Sequence, residues 1–272
     1  ERMRFMLRVE VSVRDDVAVV AALGEGLERL ETAISASPAV CLGVWRDPWP
    51  GVVEGGTSYD VGLTRAHPGS NYRAGLALVA EDALGAVVDA FLAVAPERGL
   101  AGSSAWEALR VEAGRPRWAR EADERAIPHE LDWLRTEGCY PGQETVARTL
   151  NLGKPPRRLA ILQLDGLAGA LPEPGAVVRL GERAAGVATS VVRHHDLGPM
   201  ALALLRRGVP ADAALAVEVA ESTEGAENTE SDGPAVLTRV DAAQEVLVSP
   251  EGRAQASPAE RPGAGLRKSL LH

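Results

Sequence analysis

Leu159-Ala160-Ile161-Leu162-Gln163-Leu164 is nearly unbroken apolar sequence, and it opens a change of texture in a chain of 272 residues. Beyond Arg158, short apolar runs recur at 159–164, 176–180, 185–192, 200–205 and 213–219, with turn signals between them. Strand-length runs at that spacing predict a small β barrel or sandwich. Six acidic residues and no basic one fall between Glu218 and Asp232, among Ser, Thr and Gly, which predicts a flexible loop. Gln244–Val248 reads as one more strand returning to the barrel, and the Pro-, Gly- and Arg-rich tail reads as disordered.

Upstream the texture is mixed. Phe5, Leu7, Val9 and Val11 alternate with more polar neighbours, as in a half-buried strand. Val17–Leu23 is short enough for a buried strand. Gly24 and Gly26 follow it and lead into a helical segment, Leu27–Ile34. The third glycine of a dinucleotide fingerprint would fall on Arg29, so a plain strand-to-helix turn is the reading. Val40–Trp45 is a third strand, and Glu81–Val94 has helical spacing. Strands and helices in this order imply an α+β layer. Glu1 is followed almost at once by a core-type strand, and the expectation is that an N-terminal piece is missing.

The best-marked helix lies between these halves. Ser104 and Glu107 have capping-box spacing, Leu109 and Val111 lie inside, Gly114 stops the helix, and Pro116 follows. A polar stretch then runs to Cys139, a short helix covers 143–150, and 153–156 breaks the chain. The expected division is an α+β body over 1–98, the motif helix and Cys139 loop over 99–153, and the barrel over 154–220. An acidic loop over 221–243, a returning strand over 244–248 and a tail over 249–272 complete it.

Composition sets outer limits. Hydrophobic residues at 46% and charged residues at 25% argue against wholesale disorder. A chain this long buries a core without metal or disulfide staples. No apolar run approaches the roughly 20 residues that cross a bilayer, so no membrane partner is expected. Net charge −9 makes the whole molecule no electrostatic trap for nucleic acid, although a local basic patch could still touch RNA. Cys41 and Cys139 stand far apart, which excludes a disulfide framework and a CxxC metal site and fits a reducing cytoplasm. No metal site is expected.

The informative segment is Gly138-Cys139-Tyr140-Pro141-Gly142-Gln143-Glu144. It places a thiol on a glycine-flanked turn just before a helix start, where the helix dipole favours the thiolate. The glycines admit a ligand or another backbone, and Gln143 and Glu144 bring an amide and a carboxylate to the same turn.

This segment resembles the K-G-C-[FY]-x-G-Q-E signature of the YgfZ family, relatives of the glycine-cleavage aminomethyltransferase. Leu109-Arg110-Val111-Glu112-Ala113-Gly114 is similar to the L-R-[LV]-E-A-G helix of both groups, and Ile127-Pro128-His129-Glu130 to the P-x-E stretch that follows it. Thr145–Arg148 and Asn151–Arg158 continue as in actinobacterial-type members, and Gly186–Ser190 matches the G-x-x-x-S pattern of the C-terminal domain. The resemblance implies a GcvT/YgfZ-like multi-domain α+β fold with a small C-terminal barrel. It also implies tetrahydrofolate as cofactor, a role in assembling or repairing iron–sulfur proteins, and a link to tRNA modification. The rival implications are a tetrahydrofolate-dependent aminomethyl or one-carbon transferase, and a non-catalytic folate-gated adaptor for an iron–sulfur client.

On this reading Cys139 is the working thiol, within the motif Gly138, Tyr140, Gly142, Gln143 and Glu144. Arg110, Glu112 and Trp133 are the candidate folate contacts. Arg110 and Glu112 are about 200° apart around a helix, so Arg110 anchors it while Glu112 faces the cavity. The chain also departs from the family. Glu137 replaces the leading Lys, Trp106 stands where the aminomethyltransferases carry a folate-contacting Arg, and their G-Y-T-G-E segment has no clear counterpart. The resemblance also implies that an N-terminal segment forming one wall of the folate cavity would precede Glu1, so weak or no folate binding is expected of this chain alone. Lys154, Arg157, Arg158 and Arg148 form a basic cluster that reads as a solvated linker, with RNA or a polyglutamate tail as the alternative. His194-His195-Asp196 reads as a hairpin turn.

Overall fold

The computed structural model describes residues 10, 12–36, 41–49, 56–57, 63, 65–94, 96–97, 99–132, 134–135, 142–152, 155–220, 237–251 and 254–260. The elements in chain order are β1 (Val17–Leu23), α1 (Glu25–Ala36), β2 (Cys41–Arg46), β3 (Gly56–Thr57), β4 (Ala74–Ala80), α2 (Leu84–Val94), α3 (Ser103–Glu112), β5 (Leu134–Arg135), α4 (Gln143–Leu152), β6 (Arg157–Leu164), β7 (Val177–Leu180), β8 (Arg183–His194), β9 (Gly198–Arg206), β10 (Leu215–Ala220) and β11 (Leu237–Val246). They fall into two compact units. One holds 1–48 and 71–100, the other 49–70 and 101–272. The expected strand Phe5–Val11, the acidic residues 221–236 and the end of the tail lie outside the described residues, apart from Glu10.

In the first unit β4 is the central strand, flanked by β1 and β2 and antiparallel to both. Sequence reading does not find β4, because four of its seven residues are Ala or Gly, types depleted from strands. Packing requires the small residue at Gly75, where a Cβ would lie 2.4 Å from Leu27 Cδ1 of α1. Ala18, Val20 and Ala22 of β1 pack with Leu30, Ile34 and Val87 of the two helices. Val19, Leu42 and Leu78 are exposed, so the expectation of a fully buried β1 is corrected: its apolar run covers one face only.

The second unit is built on a closed six-stranded antiparallel barrel, in the order β10-β11-β6-β9-β8-β7. Closure removes the exposed strand edge. Ala160, Leu162 and Leu164 of β6 point into the barrel with Ala201, Ala203 and Leu205 of β9. Their neighbours Leu159, Ile161, Leu202 and Leu204 face outward onto Val111 of α3, Leu131 and Val146 of α4. Burial on both faces is why these strands read as unbroken apolar runs.

Two sequence expectations are revised here. The returning strand is Leu237–Val246, not 244–248, and it completes the barrel well beyond residue 220. Only Val240 and Ala242 of it are fully buried, so no apolar run marks it. The basic cluster is no solvated linker. Arg158 shares the inward parity of Ala160 and lies in the barrel, donating to Val209 O at 3.1 Å and Gln244 Oε1 at 2.7 Å. Burial without a carboxylate partner lowers its pKa to about 10. Arg157, on the opposite parity, turns to Glu130. Arg148 stays exposed, and Lys154 lies outside the described residues.

Candidate functional site

Helix α3 carries the first motif, and its start corrects the expected capping box. The N-cap is Gly102, without a side-chain cap. Glu107 spends its carboxylate elsewhere: Oε2 accepts from Arg110 Nη2 at 2.9 Å, and Oε1 from Arg117 Nη1 at 2.7 Å. The C-terminal stop is as read. Gly114 adopts φ +67°, and a Cβ there would meet Leu247 Cδ1 at 2.7 Å. Trp49 Nε1 donates to Ala113 O at 3.2 Å and covers one of the carbonyls freed at the helix end.

Arg110 lies at the centre of a buried polar network, 2% exposed. Its Nη1 donates to Arg115 O at 2.6 Å and to Glu121 Oε2 at 3.3 Å, and its Nη2 donates to Ser190 Oγ at 2.7 Å. Glu121 is fully buried. Its Oε1 accepts from Ser190 Oγ at 2.6 Å and Thr189 Oγ1 at 2.7 Å, and its Oε2 also accepts from Arg117 N at 2.9 Å. Neighbours on a strand normally point to opposite faces. Here the register shifts between Ala188 and Ser190, a bulge that lets Thr189 and Ser190 share one carboxylate. Gly186, at the head of the same motif, lets β9 approach closely, since a Cβ would fall 2.4 Å from Leu204 O. The helix motif and the G-x-x-x-S motif, 80 residues apart, thus meet in one ionic clamp. Sequence reading marks Ser190 but not Glu121, which looks like one more acid in a polar stretch.

Glu112 faces away from this clamp. Its side chain is 42% exposed, with Oε2 3.2 Å from His194 Nε2. His194 Nδ1 accepts from Asp196 N and Leu197 N at 3.2 and 3.1 Å, which places the ring proton on Nε2, toward Glu112. His194 ends β8, and residues 195–197 form the turn to β9. Among the described residues no group of three His, Cys, Asp or Glu is placed to hold a metal.

Ile127–Glu130 forms a second buried polar node. Glu130 is fully buried and accepts from Arg157 Nε at 2.9 Å, Arg157 Nη2 at 2.8 Å, Arg157 N at 3.1 Å and Ile127 N at 3.3 Å. That carboxylate raises the pKa of Arg157. Neighbouring His129 is also buried, and desolvation lowers its pKa to about 4 against a smaller opposing hydrogen bond with the Val146 backbone.

Of the thiol motif, Gly142, Gln143 and Glu144 are described. Gly142 has φ +87°, and its carbonyl accepts from Thr145 N at 3.0 Å as α4 begins, so the glycine meets a conformation other residues resist. Gln143 and Glu144 are exposed in the first turn. Gly138, Cys139 and Tyr140, with Trp133 and Glu137, lie outside the described residues. Cys41 is half-buried against the core of the first unit. Among the described residues no helix is long and apolar enough to cross a membrane.

No protein-family model matches the sequence. The tRNA-modifying protein YgfZ of Edwardsiella ictaluri is 34% identical over 128 residues, covering 43% of this chain and 38% of its own length. A chloroplastic protein of Arabidopsis thaliana named a putative transferase is 36% identical over 98 residues, covering 33% of this chain and 21% of its own. The chain thus spans less than half the length of these relatives. A solved structure of glycine cleavage system aminomethyltransferase T from Bartonella henselae aligns at 19% identity and a TM-score of 0.49, over 69% of this chain and 49% of that one. Over the stretches they share, the chain is similar in sequence to YgfZ and to the plant protein.

Proposed function

We propose that this chain is a folate-dependent, YgfZ-like factor of the cytoplasm that supports assembly or repair of iron–sulfur proteins. The observation that carries the reading is the clamp of Arg110, Glu121 and Ser190. It brings together the helix segment and the G-x-x-x-S segment, the two stretches on which part of the resemblance rests. It fixes the end of α3 against the barrel and leaves Glu112 partly exposed beside His194.

The described residues fit a folate in part. Glu112 offers an accessible carboxylate that could accept paired hydrogen bonds from a pterin ring edge. Arg110 does not fit as a contact, because its guanidinium is buried and engaged with Glu107, Glu121, Ser190 and Arg115. It positions the helix instead. Tetrahydrofolate, when bound, would supply one-carbon chemistry, and Cys139 would supply a thiol able to engage a partner or a cluster intermediate. A lone cysteine provides at most one of the four ligands that a cluster normally takes, so clients or small thiols would complete the set.

The transferase reading separates from this one in a steady-state assay of folate-dependent aminomethyl or formaldehyde transfer, where turnover would favour it. The proposed role is tested by deleting the gene in its own organism and assaying iron–sulfur enzymes. Their activities should fall, and blocking folate synthesis should cause the same fall without adding to the deletion. Unchanged activities in the deletion strain would refute the role.

A further inference from the structure

We infer that the turn at residues 117–122 is a contact for unpaired RNA, with Trp118 stacking on a base and neighbouring arginines meeting the phosphates. Trp118 is 74% exposed, although indole is a costly surface to leave in water. The turn that carries it is tightly held. Ala119 N donates to Ala122 O at 2.8 Å, Arg120 N and Ala122 N donate to Arg117 O at 3.2 Å each, and Ala119 adopts φ +62°. Its base is pinned by buried Glu121, which accepts from Arg117 N at 2.9 Å. The indole is thus presented by a fixed backbone, with little ordering left to do on binding.

Charge selects the occupant. The side chains of Arg120 and Arg125 find no acceptor among the described residues, while the side chain of Arg117 is 43% exposed against Glu107. Glu121 turns inward, so Arg117, Arg120 and Arg125 face two surface acids, Glu124 and Asp123, the latter also accepting from the Arg125 and Ala126 amides. An aromatic face beside guanidinium groups matches unpaired nucleotides, because every base has a stacking face and every link carries a phosphate. A duplex hides its bases and would not engage the indole. The net charge of −9 confines this contact to the turn, so few phosphates are involved and the dependence on salt is shallow. The inference does not rest on the folate reading, and either can fail without the other.

The test is fluorescence anisotropy of a labelled, unstructured oligoribonucleotide titrated with the full chain, without folate. A duplex of equal length and a polyglutamate peptide are the comparison ligands. The single strand should bind best. Trp118→Ala should weaken it at least five-fold, the low end for one base stack, while Trp118→Phe keeps most of the affinity. Arg120→Gln should make the salt slope shallower by about 0.7. Both positions are on the surface, and an unchanged circular dichroism spectrum verifies the fold. Equal affinity in Trp118→Ala, or binding of the duplex or the peptide as tight as the single strand, would overturn the inference.

Discussion

Replacing Glu121 by Gln keeps the shape of the side chain and removes its charge at a fully buried position. Each carboxylate oxygen accepts two hydrogen bonds, Oε1 from Thr189 and Ser190 and Oε2 from Arg110 and Arg117 N. The amide turns its NH2 to the Thr189 and Ser190 hydroxyls, which also accept, and its oxygen to Arg110 and Arg117 N, so the four bonds persist without the charge. Four bonds to a charged acceptor become neutral ones at a loss of roughly 0.75 kcal/mol each, so the cost is about 3 kcal/mol. The same figure is the lower end for leaving a buried charge unpaired, and the lower end applies because Arg110 keeps Glu107. In urea unfolding this lowers the midpoint by about 1 M or more at unchanged slope. Arg110→Met should cost a similar amount. The double substitution should cost far less than the two singles added, with a coupling of about 2 kcal/mol or more. A cost below about 1 kcal/mol for Glu121→Gln, or additive singles, would refute the clamp.

Four further outcomes are expected. His129 has its pKa lowered to about 4 by burial, so the unfolded chain takes up its proton first as the solution is acidified. Stability from this group is full above about pH 6.5 and falls as the pH drops toward 4, by roughly 3 kcal/mol in all, and His129→Gln should flatten that part of the pH–stability curve. Gly186→Ala sets a methyl group against Leu204 O and Leu205 Cα, both backbone, and should destabilise the barrel by about 1–3 kcal/mol, read as a fall in melting temperature. Iodoacetamide should modify Cys139 before Cys41, since Cys41 is half-buried against the core of the first unit, and mass spectrometry of the digested protein would show the order. Glu112→Gln should weaken tetrahydrofolate binding in calorimetry of the protein expressed from its own gene, and equal affinity would remove Glu112 from the site.

The sequence is legible where burial and local pattern coincide. β6 and β9 declare themselves because both faces are buried, so every position is apolar. β4 escapes because packing against Leu27 demands glycine and alanine, which carry no strand signal. β11 escapes because only its inward residues are apolar. The error over Ser104 and Glu107 has the same root. Spacing suits a cap, but the tertiary structure offers Glu107 two arginines, and a charged pair outcompetes the backbone. Arg157 and Arg158 look like one basic patch in sequence, yet strand alternation sends them to opposite faces, one to Glu130 and one into the barrel. At the site, Arg110, Glu112 and Ser190 are visible as motif residues. The role of Arg110 depends on Glu121, which no spacing rule singles out.

Cys139 is where the functional account is most exposed to test. The decisive measurement exchanges Cys139 for Ala at the chromosomal locus and compares iron–sulfur enzyme activities with the parent and with the gene deletion, at matched protein levels. The account predicts activities as low as in the deletion strain, with the Cys139→Ala protein still folded. Activities equal to the parent would contradict it.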